Sequence, residues 1–308
     1  MRALITGVGG FVGGHLARHL AENGDEVVGF DRDCDVTDVA AVTDRVADAA
    51  PDAVYHLAAR THVGESWLDP EGTERVNVQG TAALLRAARS AAPAARILIV
   101  SSADVYGVVD ESELPLTETH PPAPVSPYAR SKWEAERVAL AAMHTYGQLV
   151  IVVRPFNHVG PGQATTFFVP ALVERLVRAA AAGEDEVAVG NLTARRDFTD
   201  VRDVVVAYRR LVTDGHVGEV YHVASGHDVA LSDLATRLVA ELAPGARLVA
   251  DPQLMRPVDV PVLCGSFAKL RGATGWTPSI DLDASLRDVI ANVRARVADA
   301  PSPTESAN

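Results

Sequence analysis

Lysine is almost absent from this chain of 308 residues. Among its 28 basic residues only Lys132 and Lys269 are lysines, and the others are arginines. A chain with this bias is expected to keep lysine where an ammonium group is hard to replace. The 40 acidic residues give a formal net charge of −12, which argues against binding to nucleic acid or to an anionic membrane. A small anionic ligand held by a few arginines stays compatible with that charge.

Cysteines and long apolar stretches are also scarce. Cys34 and Cys264 have no spacing pattern, which excludes a disulfide scaffold and fits a reducing compartment. The longest apolar runs, such as residues 97–100 and 149–153, have strand length and fall far short of the roughly 20 residues of a membrane span. The N-terminus enters an apolar segment without a signal peptide, so a cytoplasmic protein is expected.

Tyr128 and Lys132 lie one helical turn apart and share a face if this segment is helical. An ammonium group beside a phenol stabilises the phenolate, so the pair predicts a tyrosine pKa lowered from about 10 toward neutrality. Such a tyrosine could give or take a proton at working pH. An isolated Tyr/Lys pair more often marks only an exposed helix, so its meaning depends on the rest of the chain.

A glycine-rich loop follows the first apolar segment. Gly7 permits a tight turn, Gly10 lets backbone approach a pyrophosphate, and Gly13 allows close packing of the next helix on the strand. The following strand ends in Asp31, which would bind the adenosine ribose and would repel the 2′-phosphate of NADP. Arg32 could instead pair with that phosphate. We therefore expect NAD as cofactor, with NADP as the alternative.

Strand-like and helical segments alternate along the chain. Further strands are predicted over residues 52–57, 95–101 and 148–154, and helices around 39–49, 71–91 and 128–146. This alternation predicts an α/β fold, namely a Rossmann-type doubly wound parallel sheet with a smaller C-terminal α/β substrate-binding lobe. We expect a dinucleotide-binding domain over residues 1–163 with a return around 197–227, a substrate lobe mainly over 164–297, and a disordered tail over 298–308.

Five motifs occur in order in the front half: TGVGGFVG (6–13), YHLAA (55–59), NVQGT (77–81), SSADVYG (101–107) and SPYARSK (126–132). Together they resemble the extended short-chain dehydrogenase/reductases. The resemblance implies that Ser102 hydrogen-bonds the reacting oxygen of the substrate, Tyr128 gives or takes the proton there, and Lys132 holds the nicotinamide ribose. Hydride would pass between the nicotinamide and the sugar carbon that bears this oxygen.

The candidate site residues fall into two groups. The candidate catalytic residues are Ser102, Tyr128, Lys132 and Asp104. The expected dinucleotide contacts are Gly7, Gly10, Phe11, Val12, Gly13, Asp31, Arg32, Asp35, Val36, Leu57, Ala58, Ala59, Asn77, Ser101, Tyr128, Lys132 and Pro155. Asn77 is explained at least as well by a structural role beside the sheet. No metal site is expected, because His15 and His19 have the spacing of a metal pair but no third ligand nearby.

The back half carries RPFNHVGPGQ (154–163), GNLTARRDFTDV (190–201), RPVDVP (256–261) and GWTP (275–278). These motifs resemble nucleotide-sugar-modifying members of the same family, in which arginines grip the diphosphate through paired hydrogen bonds. The implied substrate contacts are Ser102, Tyr128, Asn157, His158, Arg196 and Arg256. The motifs are most similar to reductases that convert GDP-4-keto-6-deoxy-D-mannose to GDP-D-rhamnose, although Ser266 stands where an acid is expected.

Other reactions of the family are alternatives to this reductase. A UDP- or GDP-hexose 4-epimerase needs only Ser102, Tyr128, Lys132 and tightly held NAD, and the sequence does not oppose it. A 4,6-dehydratase needs carboxyl chemistry beside Ser102; Ala103 has no proton to donate, and the Asp104 carboxylate is shorter than the usual glutamate. A protein that binds the dinucleotide without turnover is disfavoured, because both Tyr128 and Lys132 are kept.

The two helices predicted around residues 71–91 and 128–146 are rich in small side chains. Their alanines include Ala82, Ala83, Ala87, Ala88, Ala135, Ala139 and Ala142. Small residues let helices approach closely, and the family resemblance implies that these two helices form a four-helix contact between two copies of the chain. A homodimer is therefore expected.

Overall fold

The computed structural model describes residues 1–255 and 257–299. Arg256, one of the two expected diphosphate contacts, therefore lies outside the described residues, and so do residues 300–308 of the expected tail. Ala298, the first residue of that tail, is instead the last residue of the final helix.

Strands and helices, numbered in chain order, alternate through the described part of the chain. The strands are β1 (Arg2–Thr6), β2 (Glu26–Phe30), β3 (Ala53–His56), β4 (Arg96–Val100), β5 (Leu149–Pro155), β6 (Asn157–Val159), β7 (Glu186–Val189), β8 (Arg195–Asp200), β9 (Val220–Val223), β10 (Asp228–Ala230), β11 (Arg247–Ala250) and β12 (Val262–Leu263). The helices are α1 (Phe11–Glu22), α2 (Val39–Ala49), α3 (Val63–Leu68), α4 (Pro70–Glu74), α5 (Gly80–Ala91), α6 (Pro127–Tyr146), α7 (Phe168–Ala182), α8 (Val201–Asp214), α9 (Leu231–Leu242), α10 (Ala268–Thr274) and α11 (Leu282–Ala298). None of these described helices is both long and apolar enough to cross a bilayer.

A six-stranded sheet with the order β2-β1-β3-β4-β5-β9 organises the front half, and all its neighbouring strands are parallel. Alternate side chains of one strand enter two different cores. In β4, Leu98 faces the core shared with α1 and α8, while Ile97 and Ile99 face the core shared with α2, α5 and α6. Because both faces are covered, the strands are continuously apolar, as parallel strands generally are. The predicted doubly wound α/β fold is confirmed.

The strand order reverses between β1 and β3, since the chain runs from β1 outward to β2 and then returns to the other side of β1. A crevice opens at such a reversal beyond the carboxyl ends of the strands, and ligands of doubly wound sheets bind there. Gly7, which follows β1, approaches the backbone of Ala58, which follows β3. The predicted cofactor loop therefore lies at this crevice.

A smaller lobe is built from the remaining short sheets. In one of them β8 pairs with β6, β10 and β12, and β7 pairs with β11 in the other. Helices α7, α9 and α11 cover this lobe with their own apolar core, which includes Leu172, Leu238 and Val289. Strand β9 and helix α8, although late in the chain, belong to the front layer, since β9 is an edge strand of the six-stranded sheet.

The region predicted as one helix over residues 71–91 is more complex. It consists of α4, a π-helical turn over Arg75–Gln79, and α5, and the short helix α3 before it was not predicted. The π turn adds a residue to the helical repeat and carries Asn77 inward, where it is buried. Apolar periodicity does not reveal such a turn, because the apolar face continues through it.

The alanine faces expected to join two copies of the chain are already used inside one copy. Ala87, Ala88 and Ala139 are fully buried in the core beneath α5 and α6, and only Ala82 of the expected set is not classed as buried. The outer surfaces of α5 and α6 carry exposed arginines instead, among them Arg86 and Arg137. These small residues pack the two helices on the sheet, so they do not by themselves indicate a contact between two copies of the chain.

Candidate active site

The loop between β1 and α1 forms a cradle of backbone. Gly7 has a φ of +76°, and a Cβ added there would lie 2.9 Å from the backbone nitrogen of Ala58. A Cβ on Gly13 would overlap the Gly7 carbonyl oxygen, so helix and loop pack at a distance only glycine allows. Helix α1 begins after Gly10 with neither a side-chain cap nor an acid in its first turn, within the described residues. These N–H groups fit an anion such as a pyrophosphate.

The far end of this cradle is acidic. Asp31 follows β2, and a Cβ on Gly9 would collide with its carboxylate, so this carboxylate lies directly beside the loop. Arg32 is exposed, while Asp33 forms an ion pair with Arg45 at 2.7 Å. Of the other expected contacts here, Asp35 binds Thr37 and Val36 is buried.

Three strand ends bring the remaining expected dinucleotide contacts to the same edge of the sheet. Leu57, Ala58 and Ala59 follow β3 and are half-buried, Ser101 follows β4 and is buried, and Pro155 is the last residue of β5. Phe11 and Val12 are half-buried in the first turn of α1. The sequence prediction that these segments converge is thus matched by their placement, since parallel strands end together.

Tyr128 and Lys132 lie on the first turns of α6. Ser126 caps this helix by accepting a hydrogen bond from Ala129 N at 3.1 Å, and Pro127 occupies the first helical position. The cap fixes where the helix starts, so both side chains point to its buried face. The Lys132 ammonium donates to the Val100 carbonyl at 2.8 Å, at the carboxyl end of β4, and Ser102 follows two residues later.

The pKa of Tyr128 is shifted in the direction opposite to the prediction. Burial raises it above the ordinary value of a phenol, the Asp104 carboxylate raises it further, and a hydrogen bond with the Ser102 side chain opposes both effects. Burial also lowers the pKa of Lys132 to about 8, with the Glu136 carboxylate acting the other way. Burial and the Asp104 carboxylate therefore favour the neutral phenol of Tyr128 at neutral pH.

A chain of hydrogen bonds fixes the backbone of Tyr128. Asn77 accepts from Arg60 N at 2.8 Å and donates to Ser131 Oγ at 2.8 Å, and Ser131 Oγ donates to the Tyr128 carbonyl. The Tyr128 backbone N–H donates to Ser66 Oγ, from α3. Asn77 is thus buried with its amide occupied by protein groups, which supports the structural reading. Sequence reasoning missed Ser66 and Ser131, because single serines carry no spacing signal.

Three of the expected substrate contacts, Asn157, His158 and Arg196, lie on strands of the smaller lobe. Arg196, on β8, donates to Asp259 Oδ1 at 2.9 Å and also to the carbonyls of Arg195 and Pro261. Asn157 is exposed on β6, and the ring of half-buried His158 stacks on that of Phe11 with centroids 6.1 Å apart. His158 therefore links strand β6 to the first turn of α1.

The histidine pair of α1 serves local structure. His15 Nε2 lies 2.9 Å from the Pro161 carbonyl oxygen, and His19 lies beside Asn23 at the helix end. Across residues 1–255 and 257–299, no group of three or more His, Cys, Asp or Glu side chains is arranged to hold a metal ion.

The doubly wound sheet, the glycine loop and the buried Tyr128 and Lys132 beside half-buried Ser102 agree with the similarities to known proteins, which identify an NAD(P)-dependent oxidoreductase of the extended short-chain type that acts on a nucleotide sugar. The chain belongs to the NAD dependent epimerase/dehydratase family, whose profile matches residues 3–224. The family resemblance inferred from the five motifs is therefore confirmed.

Individual relatives resemble almost the whole chain. A GDP-6-deoxy-D-mannose reductase of Pseudomonas aeruginosa is 37% identical over 96% of this chain and 98% of its own length. The solved structure of RMD from Pseudomonas aeruginosa, complexed with NADPH, has a TM-score of 0.88 at 36% identity and covers 96% of this chain and 100% of that one. A UDP-glucose 4-epimerase of Thermotoga maritima, solved with UDP-glucose, has the same TM-score at 26% identity and covers 96% and 100%.

Proposed function

We propose that this protein uses NADPH or NADH to reduce the 4-keto group of GDP-4-keto-6-deoxy-D-mannose, giving GDP-D-rhamnose. The observation that carries the proposal is the 37% identity to a GDP-6-deoxy-D-mannose reductase across 96% of the chain, because it includes the substrate lobe as well as the dinucleotide layer. A match limited to the glycine loop and the Tyr/Lys pair would support only the family.

The protonation of the site supports reduction. A ketone that accepts hydride needs a proton at its oxygen, and a neutral phenol supplies one, whereas a phenolate removes one. Tyr128 is held neutral by burial and by Asp104, and its hydrogen bond with Ser102 keeps the two hydroxyl groups next to each other. Ser102 would hydrogen-bond the carbonyl oxygen and Tyr128 would donate the proton to it. Elimination of water is disfavoured, because Ala103 has no proton to donate and Asp104 is a shorter carboxylate than the glutamate usual in dehydratases.

The residues present fit a dinucleotide. Gly7, Gly10 and Gly13 let backbone approach a pyrophosphate, and the uncapped start of α1 supplies N–H donors. When bound, NAD(P)H supplies the hydride. Asp31 would accept the adenosine ribose hydroxyls, and its carboxylate supports NADH, while the RMD relative was solved with NADPH, which supports the alternative. Lys132 would donate to the nicotinamide ribose from its position at Val100.

The diphosphate of the substrate would be held from the lobe. Arg196 presents a guanidinium that is mostly buried and oriented by Asp259, and guanidinium suits phosphate because it donates two hydrogen bonds at once. Arg256 is proposed as a second contact on sequence context alone. Asn157 is exposed on the same side and would bind the sugar. His158 would hold strand β6 against Phe11.

Three broader properties belong to the same proposal. The dinucleotide domain would comprise residues 1–163 with the return around 197–227, and the lobe would comprise mainly 164–297. The family resemblance supports a homodimer through the outer faces of α5 and α6, although their alanines do not, and light scattering at micromolar concentration tests it. The two cysteines, Cys34 and Cys264, are free and buried, which supports a cytoplasmic location.

The test follows nicotinamide absorbance after GDP-4-keto-6-deoxy-D-mannose is added to the protein with NADPH or with NADH. Consumption equal to the substrate added, with GDP-D-rhamnose as product, supports the reductase. The corresponding UDP-4-keto-6-deoxy sugar serves as the control that tests whether the protein recognises the guanine base. A protein that purifies with bound NAD and interconverts hexoses without net consumption would instead be a 4-epimerase, the second candidate, which the overall similarity to the Thermotoga maritima enzyme favours.

A further inference from the structure

A buried ion pair lies next to the Tyr128–Lys132 pair and was not among the expected site residues. Glu136 is fully buried and receives hydrogen bonds from Arg154, at 3.0 Å from Nε and at 2.6 Å from one terminal nitrogen. The side chain of Arg154 is only 4% exposed. Both charges are therefore removed from water and satisfy each other.

This ion pair is tied to the strand ends that build the site. The Ser101 hydroxyl donates to Glu136, and Ser101 directly precedes Ser102 at the end of β4. Arg154 precedes Pro155 at the end of β5 and donates to the Tyr106 hydroxyl at 2.8 Å. Glu136 thus connects α6 with the carboxyl ends of both β4 and β5.

Glu136 also stands one helical turn after Lys132, which itself stands one turn after Tyr128. Residues at this spacing have Cβ atoms about 5–6 Å apart on the same helix face. The Lys132 ammonium donates to the carbonyl of Val100, the residue before Ser101, so both side chains of α6 reach the same end of β4. Glu136 is therefore placed to stabilise the positive charge of Lys132 and to fix the position of its ammonium group.

Stability alone does not account for a charged pair at this place. Replacing a buried ion pair with apolar side chains is often neutral or stabilising, because desolvation offsets most of the attraction. The contacts to Ser101 and the position beside Lys132 give the charge of Glu136 a further effect that an apolar residue would not supply.

We propose that Glu136, oriented by Arg154 and Ser101, is a positioning residue of the reaction that acts through Lys132 and keeps its ammonium group charged and fixed at the end of β4. The inference rests on the proposed function only for the role of Lys132 in turnover. The titratable groups that interact with Lys132 are Glu136 on α6 and His56 on β3, while Asp104 acts on Tyr128 and Arg154 binds Glu136; Glu136 is the anion that opposes the desolvation of Lys132.

The lysine content of the chain gives a direct measurement. With only two lysines, full-length protein labelled with ¹³C at lysine Cε shows two side-chain signals, and Lys269→Arg assigns them. The Lys132 signal is expected to titrate near pH 8. In Glu136→Gln we expect this midpoint to fall by on the order of one pH unit, as loss of a nearby buried charge produces. Glu134→Gln, a half-exposed glutamate on the same helix that pairs with Arg137, should leave it unchanged.

Loss of Glu136 alone leaves the buried Arg154 charge unpaired, so a second variant removes both charges, Glu136→Gln with Arg154→Leu. We expect it to melt cooperatively and to show the lowered Lys132 midpoint, while Glu136→Asp restores a midpoint near that of the parent protein. An unchanged midpoint in both Gln variants overturns the proposal. Failure of both to fold also overturns it, because Glu136 would then be structural only.

The pH dependence of turnover tests whether the shift of the Lys132 midpoint affects the reaction. If the midpoint moves from about 8 to about 7, the ratio of turnover at pH 8 to that at pH 6 falls about five-fold, whereas a structural defect lowers both rates alike. A parent protein without reductase activity would refute the proposed function and leave the Lys132 titration as an independent result. A shifted titration without any change in the pH profile would refute the role in turnover.

Discussion

Replacement of Tyr128 by phenylalanine tests the centre of the proposed mechanism, because it removes one hydroxyl group and keeps the ring. Tyr128 is buried on α6, and its phenol is neutral at neutral pH, so the lost function is that of a proton donor. General acid catalysis by a positioned side chain contributes about 10²- to 10⁴-fold to a rate. We therefore expect turnover to fall by at least about 100-fold.

The effect on folding and on the dinucleotide should be small. One intramolecular hydrogen bond contributes about 0.5–1.5 kcal/mol, so loss of the contact between the Ser102 and Tyr128 hydroxyl groups changes the free energy of unfolding by no more than about 1.5 kcal/mol. The phosphate cradle is backbone of the glycine loop, which this substitution does not touch, so the dissociation constant for the dinucleotide should change less than about three-fold.

The assay combines single-turnover absorbance of the nicotinamide, calorimetric titration with the dinucleotide, and urea unfolding. Tyr146→Phe is the matched control, because Tyr146 is the exposed last residue of the same helix and should show parent turnover. Turnover of Tyr128→Phe within three-fold of the parent would refute the role as proton donor. Loss of dinucleotide binding together with the fold would show instead that the residue is structural.

Three further changes have defined outcomes. Lys132→Arg should lower turnover at least about 100-fold, because a planar guanidinium cannot occupy the buried point at the Val100 carbonyl, whereas Lys269→Arg should not affect the rate. Asp31→Ala should reduce the preference for NADH over NADPH on the order of ten-fold, since it removes the carboxylate that repels the 2′-phosphate. The preference is measured as the ratio of the two kcat/KM values, and an unchanged ratio would contradict this expectation. Burial lowers the pKa of His222 from 6.5 to about 3, so the folded protein binds fewer protons than the unfolded chain between these values and loses stability as the pH falls. At pH 5 this histidine should cost about 2 kcal/mol relative to pH 7, and urea unfolding of His222→Asn at both pH values should show that difference removed.

The parts of the molecule that the sequence predicted well are those governed by local pattern. The alternation of apolar segments with amphipathic helices placed the ends of β3, β4 and β5 within one residue, because strands buried on both faces are continuously apolar. The glycine loop was predictable for a similar reason, since Gly7 and Gly13 occupy positions where no side chain fits. Parallel strands that end together then bring Ser102, Tyr128 and the glycine loop to one edge.

The parts that sequence reasoning missed depend on contacts between distant segments. The Asn77–Ser131 and Ser66–Tyr128 hydrogen bonds join residues that are about 54 and 62 positions apart, and no spacing rule indicates such pairs. The burial of the alanines of α5 and α6 has the same origin. A stripe of small residues indicates that another element packs closely against the helix. Here that element belongs to the same copy of the chain, since the alanines lie in its own core.

The pKa of Tyr128 shows why the Tyr/Lys spacing identifies the site but does not decide whether the tyrosine donates or removes a proton. Spacing places an ammonium group near the phenol, and in water that neighbour alone would favour the phenolate. In the folded chain the phenol is desolvated, the Asp104 carboxylate lies close to it, and the Lys132 ammonium is directed to the Val100 carbonyl, so the neutral form prevails. A 4-epimerase begins by removing a proton from a hydroxyl group and needs the phenolate, whereas a ketone reductase begins with the phenol. The environment that the fold builds around Tyr128 therefore favours the phenol, which is the form that begins a ketone reduction, and Asp104→Asn should lower the pKa of Tyr128.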